Sequence, residues 1–360
     1  FISSTTRHPF IMEYKTGANS DGRIIARKVR LVCDGGAYCS WSETTLGKAC
    51  ILSAGPYNIV NLHVDAFAVY TNKTMTGAMR GFGAPQVCFA VERHMDRAAR
   101  DAGIPLVVGL GTSPGLTNIL TRYGAQEFDT VESVQIALAT GPWTRGFAVW
   151  SHHLHAHGGQ TTIYRNGDWT QVPAMSEEET ITFPWAPGQG QVHIVSHPEP
   201  LTLPRFFPGI QEVVFKLGHP PNVNQLYRDL SKYGLTSEAS ISYGTNELSP
   251  ADFVATYLST DQADEVFGFS KLTPYSMREV RIAGERNGRP LKLRYQISMK
   301  GGPIESGLPL AITAELLADD EISAGLYSPE GLDPEPFLRA FPELGARSWL
   351  IREEEPSALV

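Results

Sequence analysis

The chain changes character near residue 103, and a single continuous fold does not account for both sides. Residues 1–100 carry 12 Lys and Arg against 7 Asp and Glu, and they hold all four cysteines. Residues 101–360 carry 18 against 31 and hold none. A net of +5 beside a net of −13 argues for segments of separate origin or separate task. With 360 residues there is room for two domains, each able to bury a core. The motifs on each side are therefore read separately.

Composition excludes some classes. A hydrophobic share of 42% with 19% charged residues is ordinary for a soluble globular protein. Nowhere does an apolar run reach the length of a membrane span. The net charge of −8 argues against a nucleic-acid partner. The start, Phe1-Ile2-Ser3-Ser4, has no initiator Met and no signal-peptide layout, so it reads as the middle of a longer chain. Cys33, Cys39, Cys50 and Cys88 show no C-x-x-C or zinc-finger spacing. They are expected to be buried, reduced thiols, which favours a cytoplasmic location.

Strands are expected over 9–19 and 23–34, joined at Asn19-Ser20-Asp21-Gly22, whose Asp-Gly pair favours a hairpin. A further strand covers 60–72, and helical spacing covers 86–101. Beyond the change of character, Ile104–Leu110 reads as a buried parallel strand. A Gly-rich turn then leads into a helix near Leu116. A strand follows over 131–138 and a helix over 145–157, and short strands dominate 161–216. Helices are expected at 222–233, 250–259, 307–318 and 334–341, with a hairpin over 276–299 around Asn287-Gly288. The tail 353–360 is expected to fray.

In the basic segment the densest motif is Gly77-Ala78-Met79-Arg80-Gly81-Phe82-Gly83-Ala84-Pro85-Gln86. Glycines around an aromatic let backbone approach a ligand closely, although such a stretch alone is equally a plain loop. It is preceded in order by Arg7-His8-Pro9-Phe10, Gly35-Gly36-Ala37-Tyr38, Gly55-Pro56-Tyr57-Asn58-Ile59 and Tyr70-Thr71-Asn72. The series resembles the molybdopterin-binding large subunit of the xanthine dehydrogenase and aldehyde oxidase family. That resemblance implies that Phe82 lies against an aromatic substrate. It also implies that backbone around Arg80, Gly81 and Gly83 approaches the molybdopterin-bound metal. Lys48 falls where xanthine-oxidising members place a substrate-orienting Arg. The family's upstream Gly-rich motif and downstream catalytic Glu do not occur in this segment, and metal and base together carry that chemistry. No hydroxylase activity is expected from this chain.

In the acidic segment, Gly109-x-Gly111-x-x-Pro114-Gly115 imitates a dinucleotide fingerprint. Its third Gly is one residue late, and Asp129 precedes the next strand instead of ending it. The alternative is a strand-to-helix turn with Pro near the helix start. The wider series includes Gly111-Thr-Ser-Pro-Gly-Leu-Thr-Asn118, Ile163–Trp169, Val172-Pro173-Ala174 and His197-Pro-Glu-Pro-Leu-Thr-Leu-Pro-Arg205. Gly301-Gly302-Pro303, Ser306–Pro309 and Ser328-Pro329-Glu330-Gly331 complete it. From about residue 103 to 352 it resembles the saccharopine dehydrogenase family. The resemblance implies NAD(P), with Gly111, Pro114, Gly115 and Asn118 beside the nicotinamide. It places His197, Glu199 and Arg205 near the substrate cleft. The family's own G-x-G-x-x-G unit is replaced here by the basic segment.

Ser151-His152-His153-Leu154-His155-Ala156-His157 brings His153 and His157 onto one helical face at i,i+4, or His153, His155 and His157 onto one strand face. Zinc suits either. With no acidic or Cys ligand at a familiar spacing, a helix end is the reading adopted and no metal is expected. His197 and Arg205 are equally a carboxylate clamp or part of a turn at Pro198-Glu199-Pro200. Glu177-Glu178-Glu179 reads as a solvated acidic loop.

The expected fold is α+β: a saccharopine dehydrogenase-like mixed-sheet domain over 103–352, preceded by an α+β slice of a molybdenum hydroxylase over 1–102. The function expected is an NAD(P)-linked oxidoreductase acting on an amino-acid-like substrate, impaired by loss of the Rossmann half. The alternatives are an inactive or misassembled fusion, and a molybdenum hydroxylase fragment that oxidises an aromatic heterocycle or aldehyde. The partners expected are a small-molecule substrate and a second copy of the chain, with no nucleic acid and no membrane.

Overall fold

The computed structural model describes residues 6–19, 23–77, 79, 81–141, 146–243, 246–271, 275–299, 303–341 and 347–354. The chain forms two compact units. One is Phe1–Leu106 with Asp320–Leu326, and the other is Val107–Asp319 with Tyr327–Val360.

In the first unit β1 (Thr6–Arg7) pairs in parallel with β5 (Thr76–Gly77). The main sheet joins β2 (Phe10–Ala18), β3 (Ile24–Gly36) and β4 (Asn61–Tyr70). β2 and β3 are antiparallel, and β3 and β4 are parallel. The connecting helix is α1 (Ser42–Leu52), and α2 (Ala84–Ala102) follows β5. Period-2 alternation along β3 sends Val29, Leu31 and Cys33 inward, where Val29 and Leu31 meet Ala49 of α1 and Val87 of α2. The opposite face carries a charged ladder, with Glu13 against Arg30 and Lys28 against Asp65. Arg27 is buried and its hydrogen bonds go to neutral groups: it donates to Thr16 Oγ1, to the Ala54 carbonyl and to Met95 Sδ. Burial pushes its pKa down from the ordinary arginine value. The four cysteines are free, and the expectation that all are buried fails: Cys39 and Cys88 are exposed.

β6 (Pro105–Val107) is shorter than the run Ile104–Leu110 suggested, and it is not a core strand. It forms only a two-stranded pair with β17 (Gly325–Tyr327), and Ile104 and Val108 are exposed. Apolar content alone did not say what would cover it.

The second unit is built on a nine-stranded mixed sheet. Its elements in order are α3 (Leu116–Ala125), β7 (Thr130–Thr140), α4 (Phe147–Ala156), β8 (Gln160–Arg165), β9 (Asp168–Pro173), β10 (Glu179–Thr182), β11 (Gln189–Ile194), α5 (Glu199–Phe206), β12 (Glu212–Gly218) and α6 (Pro221–Lys232). Next come the hairpin β13 (Ile241–Tyr243) and β14 (Asn246–Leu248), then α7 (Pro250–Leu258), α8 (Asp261–Phe267), β15 (Ser276–Arg286) and β16 (Arg289–Met299). α9 (Pro303–Ala318), α10 (Glu335–Ala340) and β18 (Arg347–Glu354) close the unit. The strand order is β10-β11-β12-β7-β15-β16-β18, with the β8–β9 hairpin attached to β12.

β7 is the seam of this sheet. It runs parallel to β12 and antiparallel to β15. Val134 and Ile136 of β7, Val213 and Phe215 of β12, and Val280 and Ile282 of β15 pack with Leu116 and Leu120 of α3 and Leu203 of α5. Residues of opposite parity on β15 and β16 form a polar network in which Glu279 accepts from Arg281 and Gln296. A separate helical core joins Trp150 and Leu154 of α4, Val223 and Tyr227 of α6, and Val254 and Leu258 of α7. α7 begins as Ser249-Pro250 foretells, with the Ser249 hydroxyl accepting from the Asp252 N–H at 3.0 Å.

Short strands dominate 161–216 as expected, interrupted by α5, which starts at Pro198-Glu199-Pro200: proline fits the first helical turn, where no intrahelical N–H is needed. Two expectations need correction. Glu177, Glu178 and Glu179 are not merely solvated. Glu177 pairs with Arg165, Glu178 with Arg228, and Glu179, on β10, with Lys216 and Arg281. The tail does not begin at 353, since β18 pairs with β16 through Glu354. Among the described residues no helix is long and apolar enough to cross a membrane.

Candidate active site

Three sequence-distant phrases converge in the second unit. The turn after Gly109 carries Thr112 and Ser113, α3 begins at Leu116, α5 begins at Glu199, and Glu330 lies in the short 3-10 turn Pro329–Gly331. Glu199 is fully buried. Its carboxylate accepts from the Ser113 hydroxyl, from Thr117 Oγ1 at 3.1 Å and from His197 Nδ1. The Ser113 and Thr117 hydroxyls lie 2.8 Å apart, so either can donate to the other in place of its bond to Glu199. Next to them, Asn118 Nδ2 donates to Glu330 Oε2 at 3.0 Å, and Glu330 is also fully buried. Thr112 Oγ1 lies 3.1 Å from Ser306 Oγ, near the start of α9.

The electrostatics follow from this packing. Burial alone would push the Glu199 carboxyl up. The His197 charge, its hydrogen bond and the Ser113 hydroxyl outweigh burial and hold the group below the ordinary glutamate value. The His197 imidazole stacks on Phe215 of β12, with ring centroids 3.7 Å apart and 10° between planes. Its side chain keeps 11% exposure, whereas that of Glu199 keeps none. The pair is thus a buried carboxylate orienting an imidazole that still reaches solvent. Such a dyad can fix a tautomer and move a proton.

Arg205 does not join the dyad. It is exposed and lies 5.8 Å over the Trp169 ring. Gly111, Pro114, Gly115 and Asn118 form the turn itself. Gly115 adopts φ +133, and a Cβ on it would stand 1.9 Å from the Gly111 carbonyl oxygen, so only glycine fits. The Gly115 N–H donates to Asn118 Oδ1 at 3.0 Å, the Leu116 N–H to the Gly111 carbonyl at 3.0 Å, and the Thr117 N–H to the Thr112 carbonyl at 3.4 Å. The amides that would cradle a pyrophosphate at a helix start are therefore closed by the protein's own oxygens. These residues do not fit a dinucleotide phosphate.

In the first unit the structure brings Lys48 and Phe82 together, with the ammonium 3.9 Å from the ring centroid. Trp41 lies on the same ring at 6.3 Å. Arg80 lies outside the described residues. Gly81 and Gly83 have positive φ, and a Cβ on Gly83 would meet the Thr45 carbonyl oxygen at 2.2 Å. The Phe82, Gly83 and Ala84 amides donate to Met79 O, Gln86 Oε1 and Gly81 O. Among the described residues of this loop, the Phe82, Gly83 and Ala84 amides thus serve its own packing.

Sequence reasoning named His197, Glu199 and Asn118 but missed Ser113, Thr117 and Glu330. Hydroxyls at i,i+4 beside Pro114 were the available signal. It also missed His219, which lies against His153 and His157.

Residues 1–108 match the family model of the molybdopterin cofactor-binding domain. Over 101 residues the chain is 44% identical to the nicotinate dehydrogenase large molybdopterin subunit of Eubacterium barkeri, covering 28% of this chain and 24% of that protein. The chain thus spans about a quarter of that relative's length. It is 23% identical over 274 residues to the carboxynorspermidine synthase of Vibrio alginolyticus, covering 71% of this chain and 64% of that protein. Apo saccharopine dehydrogenase (L-Glu forming) from Saccharomyces cerevisiae superposes with a TM-score of 0.51 at 10% identity, covering 86% of this chain and 97% of that one. That likeness concerns the fold. Residues 1–108 carry a molybdopterin-binding domain match and the rest of the chain resembles saccharopine dehydrogenase and carboxynorspermidine synthase, as a fusion of two oxidoreductase pieces would.

Proposed function

We propose that the second unit is the substrate-binding, proton-transfer half of an NAD(P)-linked oxidoreductase that acts on an amino-acid-like substrate. The observation that carries this reading is the buried Glu199 carboxylate held by Ser113, Thr117 and His197. His197 takes up or delivers the proton at the reacting nitrogen or oxygen, and Glu199 is its positioning residue. Asn118 and Glu330 hold the floor of the same site. The chain as it stands is impaired in turnover. Residues 1–108 match a molybdopterin-binding domain, and the amides of Gly115, Leu116 and Thr117 at the start of α3 are taken up by the protein's own oxygens.

Calorimetric titration tests both halves of the reading. L-lysine and L-glutamate are the probes for the substrate site, and NAD+ and NADP+ are the probes for the turn. The expected outcome is amino-acid binding weakened about 10-fold or more by His197→Asn, with no nicotinamide cofactor binding in the micromolar range. Micromolar dinucleotide binding abolished by Gly111→Val would make the turn a phosphate site. Failure of both amino acids to bind would leave the inactive-fusion reading standing.

A further inference from the structure

α4 and the turn after β12 bring together three imidazoles that are not part of the Glu199 dyad. His153 lies in the last turn of α4 and His157 is its C-terminal cap residue, on the same face four positions on. His219 follows Gly218, where a Cβ would meet the Gln191 carbonyl oxygen at 1.8 Å, so the turn is pinned against β11. One ligand atom from each of the three residues lies within 4.8 Å of the other two. The ring centroids are 5.2–5.6 Å apart. His157 and His219 are buried and His153 is half-buried.

The surroundings match what a metal ligand needs from its second nitrogen. His157 Nδ1 donates to the His153 carbonyl at 2.7 Å, and His219 Nδ1 to the Thr140 carbonyl at 3.3 Å. His153 Nδ1 is 3.1 Å from Tyr227 Oη. A carbonyl at Nδ1 fixes the tautomer that leaves the lone pair on Nε2 of His157 and His219, and Tyr227 Oη does the same for His153 when it accepts from Nδ1, the usual arrangement behind a bound ion. The support is itself held. Tyr227 stacks on His157 at 4.1 Å, and Asn224 accepts from the His219 N–H at 2.9 Å while donating to the Gln191 carbonyl at 3.0 Å. The sequence alone offered His153 and His157 on a helix, or His153, His155 and His157 on a strand; the third ligand comes instead from just past the end of β12.

We propose that His153, His157 and His219 bind a first-row dication of the zinc type, clamping the end of α4 to the β12–α6 turn. Three neutral imidazoles favour zinc, cobalt, nickel or copper over the oxygen-seeking magnesium and calcium. A tetrahedral ion with bonds near 2.0–2.1 Å needs nitrogens about 3.4 Å apart, nearer than the 4.8 Å within which the ligand atoms lie, so ring rotations would complete the tripod.

The test uses the full chain, stripped with a chelator and titrated with Co2+, Zn2+ and Mg2+. We expect one Co2+ per chain with the visible bands of tetrahedral cobalt, displaced by Zn2+ and untouched by Mg2+. Zn2+ should also raise the thermal midpoint. His157→Gln and His219→Gln should each weaken binding about 100-fold or more, and Tyr227→Phe about 10-fold through the lost support of His153. His155→Gln, at an exposed histidine paired with Glu238, should leave affinity unchanged. Because a core variant can fail to fold, the wild-type chain supplies its own check: Co2+ should broaden the ring resonances of His153, His157 and His219. Absence of a cobalt spectrum, binding that survives both Gln variants, or broadening centred on His152 and His155 instead would overturn the proposal.

Discussion

Replacing Glu199 by Gln keeps the side chain's shape but removes the charge opposite His197. The carboxylate is fully buried and accepts from three side chains, so the change should cost the second unit about 2–4 kcal/mol. Its pKa is held below the ordinary value. The stabilisation is therefore fully present above the unfolded value of about 4.3 and is lost as pH falls through the lower folded value. Denaturant titrations from pH 7 down should show the gap between wild type and Glu199→Gln closing only in acid. A gap that stays constant would mean the carboxylate carries no such linkage. Glycines give a second contrast. Gly115→Ala should cost about 3 kcal/mol or more, because its Cβ would strike the Gly111 carbonyl. Gly103→Ala should cost about 1 kcal/mol, because Gly103 has positive φ but open space around it. Equal midpoints for these two variants would show that the turn is slack. At this scale the sequence placed His197 and Glu199 in one short phrase near the substrate cleft, but it paired His197 with Arg205 and left the His197–Glu199 contact to the structure. It did not name Ser113, Thr117 or Glu330 as partners, since a hydrogen bond between residues 113 and 199 exists only once α3 and α5 share a core.

Helices and strands were readable where periodicity had one interpretation. β2, β3, α2, β15 and β16 lie close to their expected spans because alternation or helical spacing ran long enough to fix them. α5 was hidden by its prolines, which read as a turn until the helix start gives them a place. The run before Gly109 failed in the opposite direction: apolar content read as a core strand, but β6 is three residues long. The outer face of the β2–β3–β4 sheet shows how an element declares its surroundings. Its charged rungs Glu13–Arg30 and Lys28–Asp65 keep 38% to 63% of each side chain in solvent, which screens them. Asp65→Asn should therefore change the first unit's unfolding midpoint very little, and less still in high salt. A large loss would mean that this face is covered by something that desolvates the pair.

For the whole chain, the two units differ in how much core they own. The fully buried cluster of the first unit is Val29, Leu31, Ala49 and Val87. Its surface shows Ile51 at 80% and Val60 at 78% exposure, together with exposed Phe89 and Tyr70. The second unit wraps a much larger cluster around β7, β12 and β15. Limited proteolysis should accordingly cut within residues 1–106 first and leave a resistant fragment that begins beyond Val107. Equal resistance of both parts would mean that the first hundred residues are a fully supported domain. The seam at β7 also governs how the chain comes into being. β7 is made early, yet one neighbour lies at residues 212–218 and the other at 276–285. A ribosome makes β7 well before either partner, so its apolar rows must wait until residue 285 has been added. Nascent chains stopped anywhere short of β15 are then the species a chaperone would have to hold.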